Sequence, residues 1–309
     1  MSDGVHLLVP FAGCASQQCA QALPGLQLPQ LRRLLARLGP PQTDAGAADS
    51  LSPPHERALA RAIGLPVVDG LLPFAALECG TAQACAWITP SHLRVGRDDI
   101  AMAHGQELQL DEAASRALLA AMQPYFAEDG IALEYQSPLR WLARGELFRT
   151  LPTASLDRVT GRQIERWMPA GDAGRPVRRL QQEMQMLLYT LPLNEERQAR
   201  GLLPVNSFWV SGSGALPPGF QPAPAPQLVQ ALREPALVDD GGAWAAAWQR
   251  LDANEIAGLL ADLQRGRDVR LTLCGEANSR TWGSANASRW RRLASLVKPP
   301  TIDGMLGAL

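Results

Sequence analysis

Leu193-Asn194-Glu195-Glu196-Arg197-Gln198-Ala199-Arg200-Gly201 leads through Leu202-Leu203 into Pro204-Val205-Asn206-Ser207-Phe208-Trp209-Val210-Ser211-Gly212-Ser213-Gly214. Its first half reads as a helix ended by Gly201. Pro204 sets an extended backbone, and Val205 to Val210 is an apolar run of strand length. Gly212 and Gly214 then permit a tight turn beside a ligand or another backbone. A helix returning to a buried strand is the signature of a sheet covered by helices.

The flanking sequence repeats that theme. His6 to Phe11 reads as a buried strand closed by Gly13, and Asp268 to Cys274 as another. Helical spacing covers Leu28 to Leu38, Ser52 to Ile63, Asp111 to Glu128, Leu156 to Met168, Val177 to Tyr189, Ala243 to Leu251, Asn254 to Arg265 and the basic stretch Ser288 to Val297. Gln42 to Ser50 reads as a loop. Ala84 to Thr89, Leu93 to Val95 and Ile100 to Ala103 read as an antiparallel meander. Ile131 to Tyr135 pairs with Leu139 to Ala143 in this reading. The expected architecture is α/β or α+β, a mixed sheet covered by helices. Residues 1–214 form the main region, 215–227 a proline-rich connector, and 228–309 a C-terminal α/β segment on the same sheet.

Composition narrows the function classes. The 309 residues are 46% hydrophobic and carry a net charge of -1, as expected for a folded globular protein. No apolar run reaches the length of a bilayer span, and the first residues lack the basic start of a signal peptide, so the expected location is the cytoplasm, with no membrane partner. Five cysteines, at 14, 19, 79, 85 and 274, include no CxxC pair, which argues against a structural zinc site of the usual spacing and a disulfide framework. Of 29 basic residues only Lys298 is lysine. Asp44 to Glu134 is acidic, whereas Arg140 to Arg179 and Arg265 to Lys298 are basic. The basic stretches read either as solvated helix faces or as surfaces for a phosphate-bearing ligand or an acidic protein partner.

The segment from Leu193 to Gly214 resembles part of the archaeal-type cofactor-independent phosphoglycerate mutases. Ser155 to Arg162, Arg178 to Tyr189, Pro204 to Gly214 and Leu271 to Glu276 together are similar to a proteobacterial family labelled either phosphoglycerate mutase or RpfE-type regulatory protein. The resemblance implies a degenerate alkaline-phosphatase-like core. It also implies motifs for two metal ions and a serine or threonine nucleophile, and these are missing. The N-terminal strand ends Val9-Pro10-Phe11-Ala12-Gly13 without aspartate, no Gly-Asp-His occurs, and His6, His55, His92 and His104 all lie in the first 104 residues. Two adjacent divalent ions need several carboxylates and imidazoles. The expectation is therefore no metal, no cofactor, and a non-catalytic regulatory or binding protein. Arg158, Arg162, Arg178, Arg179, Asn206, Gly212 and Gly214 are its candidate ligand residues. A phosphomutase with rearranged ligands is the alternative. A nucleic-acid-associated protein using Arg289, Arg291 and Arg292 is the third reading.

Overall fold

Eleven strands organise the described residues, which in the computed structural model are 4–14, 16–97, 99–285 and 301–309. In chain order they are β1 (Val5–Val9), β2 (Gln42–Asp44), β3 (Cys85–Ser91), β4 (Leu93–Val95), β5 (Ile100–Met102), β6 (Ala132–Ser137), β7 (Arg140–Arg144), β8 (Ser207–Gly214), β9 (Gln227–Leu228), β10 (Val269–Cys274) and β11 (Ser279–Gly283). The helices are α1 (Gln17–Ala22), α2 (Pro29–Leu35), α3 (Pro54–Ile63), α4 (Phe74–Glu78), α5 (Glu112–Glu128), α6 (Leu156–Val159), α7 (Arg175–Tyr189), α8 (Pro192–Ala199), α9 (Arg233–Leu237), α10 (Gly241–Leu251) and α11 (Ala257–Gln264), with a further helix at Ile302–Leu306. The fold class is mixed α/β. The expected basic helix at Ser288 to Val297 lies outside the described residues.

The chain divides into two compact units. One comprises Met1–Ala48, Pro53–Leu65 and Pro222–Leu309; the other comprises Asp49–Ser52 and Pro66–Gln221. The span 1–214 is thus shared between the units, and the division near residue 221 falls within the proline-rich stretch. Residues 228–309 belong with the N-terminal strand, because β10 pairs in parallel with β1.

The first unit is built on a five-stranded sheet ordered β2-β11-β10-β1-β9. The two central strands alternate. Leu7 and Val9 with Val269, Leu271 and Leu273 face a core containing α2, α10 and α11 residues such as Leu31, Trp244, Trp248 and Leu259. Trp244 and Trp248 also donate through their indole nitrogens to the carbonyls of Phe11 and Ala12, at 2.9 and 3.1 Å. Two helical aromatics thereby hold the chain as it leaves β1. The stretch after Pro41, expected as a loop, contains β2. Its Gln42, Thr43 and Asp44 are too polar to announce a strand, and they are ordered by pairing antiparallel with β11.

The second unit holds a four-stranded antiparallel sheet ordered β6-β7-β3-β8. Its core gathers Ile88, Phe126, Trp141, Met184 and Phe208 under α5 and α7. Asp111 caps α5 by accepting from the Ala114 amide at 2.8 Å, as the acidic start of that segment implies. The expected pairing of the strands near 131 and 139 is present as β6 with β7. The expected meander is not. β3 pairs with β7 and β8, while β4 and β5 form a separate two-stranded sheet. The helix expected over Leu156 to Met168 is also interrupted. After α6 the backbone turns at Gly161, with φ at 70°, and Thr160 and Gln163 form bridges to Met102 and Ala101. Pairing with β5 replaces helical hydrogen bonding there.

Candidate functional site

The face of the five-stranded sheet opposite the large core is apolar at one end and polar at the other. Leu8 and Cys274 pack with Ala58 of α3. Farther along, His6 lies beside Arg270, and Thr272 beside Thr281. Ala58 and Ala62, one turn apart on α3, are too small to fill the space above these polar side chains. A cavity of about 460 Å³ results, lined by His6, Gln42, Thr43, Asp44, Ala58, Arg61, Ala62, Arg270, Thr272, Ser279 and Thr281. A second cavity of about 280 Å³ shares His6, Ala62 and Arg270 and adds Asp268 and Ser284 to the lining.

Hydrogen bonding organises this space. His6 Nε2 lies 2.9 Å from Thr272 Oγ1, which lies 2.9 Å from Thr281 Oγ1. Asp44 accepts from Arg57 Nε at 3.0 Å and Arg61 Nη2 at 2.7 Å. Burial raises the Asp44 carboxyl, but these bonds outweigh it and hold the group below the usual carboxylate range. Arg57 also donates to the Ala277 carbonyl at 2.9 Å, tying α3 to the turn after β10. Arg270 is exposed at the rim and makes no hydrogen bond or ion pair among the described residues. Burial, and then the charge of Arg270, lower the His6 pKa from 6.5 to about 4. The cavity therefore presents an unpaired guanidinium, a neutral imidazole and a bank of hydroxyls. Arg57, Arg61 and Arg270 outnumber Asp44, with Asp268 in the adjoining space.

In open α/β sheets ligands commonly sit beyond the carboxyl ends of the parallel strands. Here the chain fills that position itself. A Cβ on Gly13, just after β1, would lie 2.5 Å from the Leu306 carbonyl, and one on Gly275, just after β10, 2.5 Å from the backbone of Leu309. The Leu309 oxygen accepts from the amides of Ala277 and Asn278 at 3.3 and 2.7 Å. The polar cavity lies toward the other end of these strands.

The residues singled out from sequence all lie in the second unit. Arg158 is buried, donates to Ser50 Oγ at 3.0 Å and sits 5.4 Å from the Trp167 ring centre. Arg162 is half-buried in the turn after α6. Arg178 donates to the carbonyls of Pro169 and Gly171, and Arg179 pairs with Asp129 and Glu183. Asn206 clamps β4, accepting from the Leu93 amide at 2.7 Å and donating to its carbonyl at 2.9 Å. Gly212 is not in a turn. β8 continues through Gly214, and between Ser211 and Gly214 its register with β3 shifts at a bulge. Gly212 has φ at 63° against the Trp87 ring, and a Cβ on Gly214 would lie 2.9 Å from Pro73. Of these seven residues, Arg178 and Asn206 share a groove of about 210 Å³ with Val95, Ile100, Met168 and Gln181.

His6, Arg61 and Arg270 were not singled out. The one available signal was the alternation Val269-Arg270-Leu271-Thr272-Leu273, in which polar side chains occupy a second face that a helix covers. Among the described residues no three His, Cys, Asp or Glu side chains gather where they could hold a metal ion, and no helix is long and apolar enough to cross a membrane.

No protein-family profile matches the chain, and no curated protein matches it. Solved structures similar to it include the following two. One is the cofactor-independent phosphoglycerate mutase from Thermoplasma acidophilum DSM 1728, at 13% identity, covering 90% of this chain and 89% of that chain, with a TM-score of 0.36. The other is the PH0037 protein from Pyrococcus horikoshii, at 13% identity, 95% and 93% coverage, and a TM-score of 0.47. Neither likeness carries an activity to this chain.

Proposed function

We propose that this protein is a binding or regulatory protein that takes a small phosphorylated ligand in the polar cavity of its first unit. The observation that supports this reading most is Arg270, a cation without a bonded partner among the described residues, beside a histidine held neutral. A guanidinium in that state gives a phosphate charge-assisted hydrogen bonds without first breaking an ion pair. Arg61, shared with Asp44, adds a second positive group, and Thr272, Ser279 and Thr281 supply hydroxyls that donate or accept as the ligand requires.

The same geometry links binding to protons. An anion beside Arg270 offsets the charge that disfavours the His6 imidazolium, so the ligand raises the His6 pKa. By linkage, phosphate binds more tightly as pH falls through the raised, ligand-bound His6 value toward about 4, provided the ligand keeps its charge. Isothermal titration with inorganic phosphate at pH 5.5 and pH 4.5, between which it remains the monoanion, tests this. Saturable binding that strengthens at the lower pH is expected. No heat at millimolar phosphate at either pH, or equal binding by Arg270→Gln, overturns the reading.

A further inference from the structure

We infer that the groove between α7 and the β4–β5 pair of the second unit is a binding site for a neutral aromatic carboxamide, whose N–H meets the side-chain oxygen of Gln181. The site is independent of the phosphate reading, which concerns the other unit. Val95, Ile100, Ile164 and Met168 wall a space of about 210 Å³, and Gln181 and Ser207 line it from α7 and from the start of β8. Branched aliphatic side chains and a thioether suit the flat face of an aromatic ring. Charge selects a neutral ligand. Arg178, at the rim, is already bonded to the carbonyls of Pro169 and Gly171, and Glu165 accepts from the Ile100 amide. One arginine and one glutamate offset each other there, which leaves no uncommitted cation for a carboxylate.

Gln181 carries the argument. It retains 8% exposure. Its Nε2 donates to the Phe208 carbonyl at 3.1 Å, which fixes the way the amide is turned, because a carbonyl only accepts. Its Oε1 is buried and has no hydrogen-bond partner among the described residues. A buried acceptor without a donor is costly, and a ligand that supplies an N–H recovers the loss. Oε1 is shielded from water, so the donor comes from an occupant of the groove, toward which the amide shifts. The buried Ser207 hydroxyl also bonds nothing among the described residues, and it can donate to the carbonyl of the same carboxamide. A primary amide on a ring offers both halves of this pairing, an N–H for Gln181 and a carbonyl for Ser207.

Methyl-labelled methionine supplies the readout. Met168 lines the groove, whereas Met122 lies in the core under α5. The Met168 resonance is assigned by its loss in Met168→Leu. Benzamide titrated into the full chain should move the Met168 methyl saturably and leave Met122 in place. Acetophenone keeps the ring and the carbonyl but carries a methyl where benzamide has its NH2; it should bind at least about tenfold more weakly. Benzoate, without the donor and with a charge, should bind no better than acetophenone. In Gln181→Met benzamide should lose its advantage over acetophenone, and the ligand comparison on the wild type decides even where that variant does not fold. The inference is overturned if benzamide leaves Met168 unmoved up to its solubility limit, if acetophenone or benzoate binds as tightly, or if Gln181→Met keeps the preference.

Discussion

In the core of the four-stranded unit the buried polar side chains of Asn194, Arg197 and Ser213 are used up on the chain's own backbone, whereas on one face of the five-stranded sheet polar side chains line open space. Asn194, buried beside β8, donates to the carbonyls of Leu188 and Val205 at 2.8 and 2.7 Å and accepts from the Val205 amide at 2.9 Å. Arg197 donates to the carbonyls of Leu203 and Leu108. Ser213, fully buried, donates to the Leu151 carbonyl at 2.6 Å. Four of the nine arginines that make residues 140–179 look basic pair with acids within the same unit: Arg140 with Glu78, Arg144 with Glu134, Arg149 with Glu146 and Arg179 with Asp129. The acidic and basic stretches of this unit are to that extent each other's partners. Around His6 and Arg270 no such balance is reached. The lesson is that a run of one charge says little about ligands until its counter-charges are placed. A single unbonded cation over a cavity says more.

The largest test of this contrast is Asn194→Ala. It strands three buried backbone groups and should cost about 3 kcal/mol in urea unfolding. A variant of unchanged stability would remove Asn194 from the scaffold and break the comparison. Gly212→Ala forces a side chain into the left-handed region with its Cβ 3.1 Å from Trp87 Cδ1. A loss of about 2 kcal/mol is expected from thermal unfolding, and no loss would mean that the bulge is not held. In the other unit the effects should fall on binding. Arg270→Gln is expected to weaken phosphate about tenfold, equivalent to about 1.4 kcal/mol, while stability stays within about 0.5 kcal/mol of wild type. The smallest effect concerns pH. The folded His6 pKa of about 4 lies below the unfolded 6.5, so the unfolded chain takes up the proton first. The stability contributed by neutral His6 is complete above 6.5 and is lost as pH falls toward 4. Partial exposure limits this to about 1 kcal/mol. His6→Asn should flatten unfolding curves over that interval; an unchanged slope would assign the pH dependence to other groups.

Much of the fold was legible because its signals are local. The alternation in Val269 to Cys274, the cap at Asp111 and the Gly201 and Pro204 punctuation before β8 each follow from neighbouring residues. β2 was not, since Gln42-Thr43-Asp44 has no strand signature apart from the edge of β11. The break after α6 was hidden because Leu156 to Met168 keeps helical spacing while its backbone bridges to β5. The site was the least legible part. His6, Asp44, Arg61 and Arg270 come from four distant segments, and sheet pairing together with two alanines on α3 creates the space between them. Asn206 and Gly212 looked functional because clamps and bulges use the same residue types as ligand sites.

The most direct measurement is the NMR titration of the His6 imidazole with and without saturating inorganic phosphate, in wild type and in Arg270→Gln. The account predicts a midpoint near 4 that rises by about one unit with phosphate in the wild type. In Arg270→Gln the midpoint should start higher and respond little. A wild-type midpoint indifferent to phosphate, or the same response in both proteins, would contradict it.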